Sequence, residues 1–150
     1  MTEDYRVMSP DDDTLRGIYE SSRTIAVIGA STDPRKAGHY IPDYMGRQGY
    51  RVLPVSPKEG ELFGEKVRAT LADIDEPVDV VDVFRPSEEA PDIAREAVRI
   101  GAKVLWLQTG IYSDEAADIA RDGGLEVVMG RCMGQTHRSL GLGPGPSAGE

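Results

Sequence analysis

The stretch VIGAST, residues 27–32, closes the apolar run Thr24–Ile28 with a glycine and three small residues. A buried strand running into such a turn is where dinucleotides commonly bind. The further glycines of a dinucleotide fingerprint do not follow. Ala30, Ser31, Thr32, Asp33, Pro34, Arg35, Lys36 and Ala37 intervene before Gly38. What the turn holds has to be judged from the other strand ends.

Outward from VIGAST, apolar runs alternate with helical stretches. TIAVIG (24–29) is the first expected strand and GHYIPDYMGRQG (38–49) the first helix after it, distorted at Pro42. YRVLPVS (50–56) follows as a strand, and EKVRATLADI (65–74) reads as a short connecting segment with one helical turn. VDVVDVF (78–84), AKVLWLQTG (102–110) and LEVVMG (125–130) are the remaining strands. Between them lie the helices SEEAPDIAREAVRIG (87–101), capped by Ser87, and SDEAADIARDGG (113–124), capped by Ser113. Gly101 and Gly123–Gly124 stand where helix ends call for left-handed backbone. Continuous rather than alternating apolar runs point to a parallel sheet buried on both faces. The expected fold is a Rossmann-like, doubly wound α/β domain with a five-stranded, mainly parallel sheet.

Ahead of this unit, SPDDDTLRGIYESS (9–22) reads as a helix capped by Ser9, with Pro10 in the first turn and Asp11–Asp13 at the positive end of the dipole. Residues 1–8 are expected to be flexible, 9–140 to form the domain, and the Gly/Pro-rich 141–150 to be a disordered tail. The net charge of −9 over 150 residues argues against general binding to nucleic acid or an anionic membrane. It leaves room for a small anion held by local cations, since screening acts over about 8 Å at physiological salt. A single cysteine, an acidic start and no membrane-length apolar run fit a cytoplasmic location.

Ligands of open parallel sheets sit beyond the carboxyl ends of the strands. Candidates there are Gly29, Ala30, Ser31, Arg35 and Lys36, then Ser56, Pro57 and Lys58, then Phe84, Arg85 and Pro86, then Gln108, Thr109 and Gly110. The first turn suits a phosphate through its amides and the following helix dipole. NAD sites place a carboxylate at the end of the second strand, but here VSPK offers Lys58, suited to a phosphorylated ribose as in NADP or coenzyme A. Arg131 and Arg138 after the last strand extend this set of cations.

Taken together, TIAVIGAST (24–32), YRVLPVSPK (50–58), VDVVDVFRPSE (78–88), AKVLWLQTGI (102–111) and VVMGRCMGQTH (127–137) resemble the bacterial stand-alone CoA-binding domain family. They are also similar to the nucleotide-binding domain of succinyl-CoA synthetase α subunits, over roughly residues 20–140. The resemblance implies coenzyme A as ligand and no established catalytic activity. It sets Gly29, Ala30 and Ser31 beside the pantetheine and pyrophosphate, and Ser56, Pro57 and Lys58 around the phosphorylated adenosine. Phe84–Pro86 would flank the ligand and Gln108–Gly110 line its floor. The synthetase has a longer glycine-bearing first loop where this chain has Asp33–Lys36, and a second domain with a phosphorylated histidine.

The expected function is therefore binding of CoA or an acyl-CoA without a self-contained catalytic centre. A detached subunit of an acyl-CoA enzyme is the enzymatic variant, and an NADP-dependent oxidoreductase is the alternative. Cys132 and His137 invite a thiol-and-base pair. The simpler expectation has Cys132 buried at the sheet edge and His137 on an irregular segment. Cys132 could also meet the CoA thiol and form a mixed disulfide under oxidation. One cysteine with His39 and His137 makes a poor metal site. A protein partner or a homo-oligomer stays open, with Tyr5, Tyr19, Tyr40, Tyr44 and Tyr50 as candidate interface residues.

Overall fold

Strand β1 (Thr24–Ile28) pairs in parallel with β2 (Arg51–Val55) on one side and β5 (Val80–Val83) on the other. Beyond β5 lie β6 (Val104–Leu107) and β7 (Glu126–Met129), giving an all-parallel sheet in the order β2-β1-β5-β6-β7. This computed structural model describes residues 10–144. The expectations for residues 1–8, Ser9, Tyr5 and the last six residues of the tail lie outside them.

Five helices among the described residues cover both faces of the sheet. They are α1 (Asp12–Ser21), α2 (Ala37–Arg47), α3 (Ala90–Arg99), α4 (Asp114–Asp122) and α5 (Met133–Ser139). Alternation along each strand splits the core into two layers. Ala26, Leu53, Val81, Leu105 and Val127 face the alanines of α3 and α4, including Ala94, Ala97, Ala117 and Ala120. Ile25, Val27, Val52, Trp106 and Val128 face Leu15, Tyr19, Met45 and Met133 of α1, α2 and α5. The doubly wound α/β architecture is as the apolar runs predict.

Several local expectations need correction. The cap of α1 is Asp11, its carboxylate accepting from the Thr14 N–H at 2.8 Å. Ser87 does not cap α3: a 3-10 turn (Ser87–Glu89) leads into that helix, and the Ser87 hydroxyl accepts from the Tyr112 N–H at 3.1 Å instead. Ser113 does cap α4, accepting from Ala116 N–H. Only the second of the glycine pair after α4 is left-handed, Gly124 at φ +88°. Gly123 is required for space, because a Cβ there would stand 2.5 Å from a Val98 methyl.

The segment after β2 holds more structure than a single turn. Strands β3 (Glu61–Leu62) and β4 (Glu65–Lys66) form an antiparallel hairpin ahead of a 3-10 turn at Leu71–Asp73. The end of the chain is also more ordered than expected, since His137 lies on helix α5 and is fully buried. Tyr19 and Tyr50 belong to the core, which removes them as interface residues. No helix among the described residues is long and apolar enough to cross a membrane.

Candidate functional site

The sheet's chain path reverses between β1 and β5, and ligand crevices of open α/β sheets form at that switch. Here the two strand ends meet closely. Gly29 adopts φ +87°, and a Cβ on it would come within 2.9 Å of Arg85 Cδ. Around this point a cavity of about 1050 Å³ runs across the carboxyl ends of the sheet.

Eleven of the fourteen candidate residues line it: Gly29, Ala30, Ser31, Lys36, Ser56, Pro57, Lys58, Phe84, Arg85, Gln108 and Thr109. Arg35, Pro86 and Gly110 do not. Arg35 is turned to solvent, 89% exposed, with its guanidinium bonded to both Asp33 carboxylate oxygens at 3.0 Å. Arg131 and Arg138 are also absent from the lining. The Arg131 Nε–H donates to Thr136 Oγ1 at 3.4 Å, and the Arg138 guanidinium lies 5.0 Å from the centre of the Tyr44 ring. The cations of the cavity are thus Lys36, Lys58 and Arg85, the last ion-paired to Glu89 at 2.7 Å.

Amides in the first turn are partly engaged within the protein. Gly29 N–H donates to the Val55 carbonyl at 3.2 Å, and Ser31 N–H to the Gly38 carbonyl at 3.1 Å. Helix α2 begins against the cavity through Lys36, Ala37 and Gly38, with no side-chain cap at its N-terminus. That leaves the positive end of an eleven-residue dipole beside the Lys36 ammonium.

The floor is built on a buried polar chain. Asp82, at the centre of the sheet between Val27 and Trp106, accepts from the Gln108 side-chain N–H. The Gln108 carbonyl oxygen in turn accepts from Met133 N–H at 3.3 Å. Tyr19 donates its hydroxyl to the Met133 carbonyl at 2.6 Å. These bonds fix the start of α5, and with it Cys132 and Gln135 on the cavity wall. Burial pushes the Asp82 carboxyl up to about 7, against the lowering effect of Gln108.

Cys132 is half-buried, lines the cavity and accepts from Gln135 N–H through its sulfur. It is therefore not the sequestered edge residue of the simpler expectation. His137 faces the other way, into the rings of Tyr19, Tyr44 and Tyr50, with Nδ1 2.9 Å from the Tyr44 hydroxyl. The thiol and the imidazole are not brought together. His39 is engaged elsewhere, its Nδ1 2.7 Å from the Ser31 carbonyl oxygen and its ring against Phe63.

Sequence reasoning missed a second set of lining residues. The hairpin approach contributes Glu59, Gly60, Glu61 and Leu62, α2 adds Tyr40 and Ile41, and Glu89, Ile93 and Ile111 complete the opposite side. Tyr40 closes the first turn of α2 and Ile41 opens the second, so the position of that helix start was the usable signal. The hairpin carried no such signal.

The family model described as the CoA binding domain matches residues 23–138. YneT of Bacillus subtilis, described as uncharacterized, is 34% identical over 131 residues, covering 87% of this chain and 97% of that protein. The α subunit of ADP-forming acetate–CoA ligase II from Pyrococcus furiosus is 29% identical over 135 residues, which are 81% of this chain but 30% of the subunit. A solved Thermus thermophilus structure superposes with a TM-score of 0.84 at 42% identity, covering 87% of this chain and 99% of that one. The match spans β1 to α5, and with it every strand end that lines the cavity; the chain belongs to the CoA-binding domain family.

Proposed function

We propose that the protein binds coenzyme A or an acyl-CoA across the carboxyl ends of the sheet, as a binding module without its own reaction centre. The observation that carries this is the grouping of Lys36, Lys58 and Arg85 on the wall of a large cavity at the β1–β5 switch. Gly29, Ala30 and Ser31 would follow the pyrophosphate, with the α2 dipole and Lys36 balancing its charge. Ser56, Pro57 and Lys58 would receive the phosphorylated ribose. Phe84 and Arg85 would flank the ligand, and Gln108 and Thr109 line its floor.

Support also comes from the relatives: the matched ligase subunits are named for a reaction of CoA. Because the chain spans under a third of those proteins, acetate activation does not transfer with the fold. Service as a subunit of such an assembly is part of the proposal. A second reading draws on Glu59, a carboxylate on the cavity wall beside Lys58, where a nicotinamide dinucleotide would seek a partner for its ribose hydroxyls.

Lys58→Ala tests the first reading. On the CoA reading the substitution weakens CoA about tenfold and leaves dephospho-CoA nearly unchanged, a difference of one charge-assisted contact. Equal loss for both ligands, measured by titration calorimetry, would remove Lys58 from the phosphate.

A further inference from the structure

We infer that the cavity selects thioesters of uncharged acyl groups over those carrying a second carboxylate, with Ile111 and Gln135 setting the preference. The inference rests on the CoA reading of the site. Charge decides which way a CoA molecule would lie. The cations of the lining, Lys36, Lys58 and Arg85, all come from the segments that follow β1, β2 and β5, where Glu59 and Glu61 also line the cavity. Four strand spacings of about 4.8 Å separate β2 from β7, so the two edges of the sheet lie roughly 19 Å apart. With its phosphates at the cationic side, the thiol or acyl end must point toward β6 and β7.

That end has a different chemistry. Its walls are the residues that follow β6 and β7, namely Gln108, Thr109, Ile111, Cys132 and Gln135, none of them cationic. The Gln108 amide is committed on both sides, to Asp82 and to Met133. Arg131, the cation next in sequence, bonds to Thr136 and is not part of the wall. Arg95 is paired to Asp92 and Glu115. Thr109 and Gln135 offer neutral hydrogen-bonding groups but no counter-charge. A second carboxylate would be desolvated there without a cation, on a chain of net charge −9. An acetyl or butyryl group would instead meet the side chain of Ile111.

Calorimetric titration of the full chain with CoA, butyryl-CoA and succinyl-CoA tests this. Butyryl-CoA is expected to bind at least tenfold tighter than succinyl-CoA, and Gln135→Arg, at an exposed position, to narrow that ratio several-fold. Ile111→Lys is a second variant of the same sense on the other wall. If CoA binds and succinyl-CoA matches or exceeds butyryl-CoA, the inference is overturned while the CoA reading stands. A ratio unmoved by both variants removes Gln135 and Ile111 as its source. If CoA itself fails to bind, the underlying reading falls first and the inference with it.

Discussion

Gly38 closes directly onto Gly29. A Cβ on Gly38 would stand 2.7 Å from the Gly29 carbonyl oxygen, and the Gly38 carbonyl accepts from Ser31 N–H at 3.1 Å. Two glycines nine residues apart thus lock the β1 turn onto the start of α2, in place of a closely spaced fingerprint. Gly38→Ala is expected to lower stability by about 1–3 kcal/mol, through displaced backbone at this contact. It should also weaken any ligand of the turn. Gly46→Ala, in the same helix, meets only an ordinary 3.8 Å contact with Val52 and should stabilise by about 0.5–1 kcal/mol. Urea unfolding of the two variants reads the contrast.

Asp82 makes stability depend on pH in an unusual direction. Its carboxyl, raised by burial to about 7, keeps its proton in the folded chain where the unfolded chain, with a value near 3.8, has lost it. The folded state then binds more protons between about pH 4 and pH 7, so this group's contribution falls as pH rises through that window. Asp82→Asn retains an acceptor for Gln108 and cannot ionise. It should raise the melting temperature at pH 8 by several degrees more than at pH 5. Equal shifts at the two pH values would show that Asp82 does not titrate as described.

His137 acts in the opposite sense. Burial lowers its pKa, so the unfolded chain protonates first as pH falls below about 6.5, and stability is lost on the acid side. His137→Gln should flatten that acid limb in a series of denaturant midpoints. Tyr44→Phe, which deletes the 2.9 Å bond to Nδ1, should cost about 1 kcal/mol at pH 8.

Phe63 sits at φ +57° beside Gly64 in the two-residue hairpin loop, a conformation that asparagine and glycine take more readily. Its ring packs 5.3 Å from that of His39, which in turn bonds to the Ser31 carbonyl. Phe63→Asn should keep the turn but release the hairpin from α2. Faster amide exchange at Val67, whose N–H donates to the Gly60 carbonyl, is the expected sign.

The strands were legible because each is a short run of residues buried on both faces, and TIAVI, VVDV and VLWL differ sharply from the helical stretches between them. The hairpin was not, since each of its strands is two residues long, three of the four residues are charged, and its loop lacks an Asn-Gly signal. Helix α5 escaped for another reason. MGQTHRS has little helical patterning, and what orders it is tertiary: buried Met133 and His137 and the bonds from Tyr19, Tyr44 and Gln108. Among site residues, Arg35 misled because strand-end position says nothing about side-chain direction. Asp33, two residues earlier, captures it.

The most direct measurement is calorimetric titration of CoA, dephospho-CoA, NAD and NADP into the purified, ligand-stripped protein. The cavity's cationic end predicts that CoA binds, that dephospho-CoA binds more weakly, and that both outcompete the nicotinamide dinucleotides. Binding of NADP or NAD with no response to CoA would contradict the account.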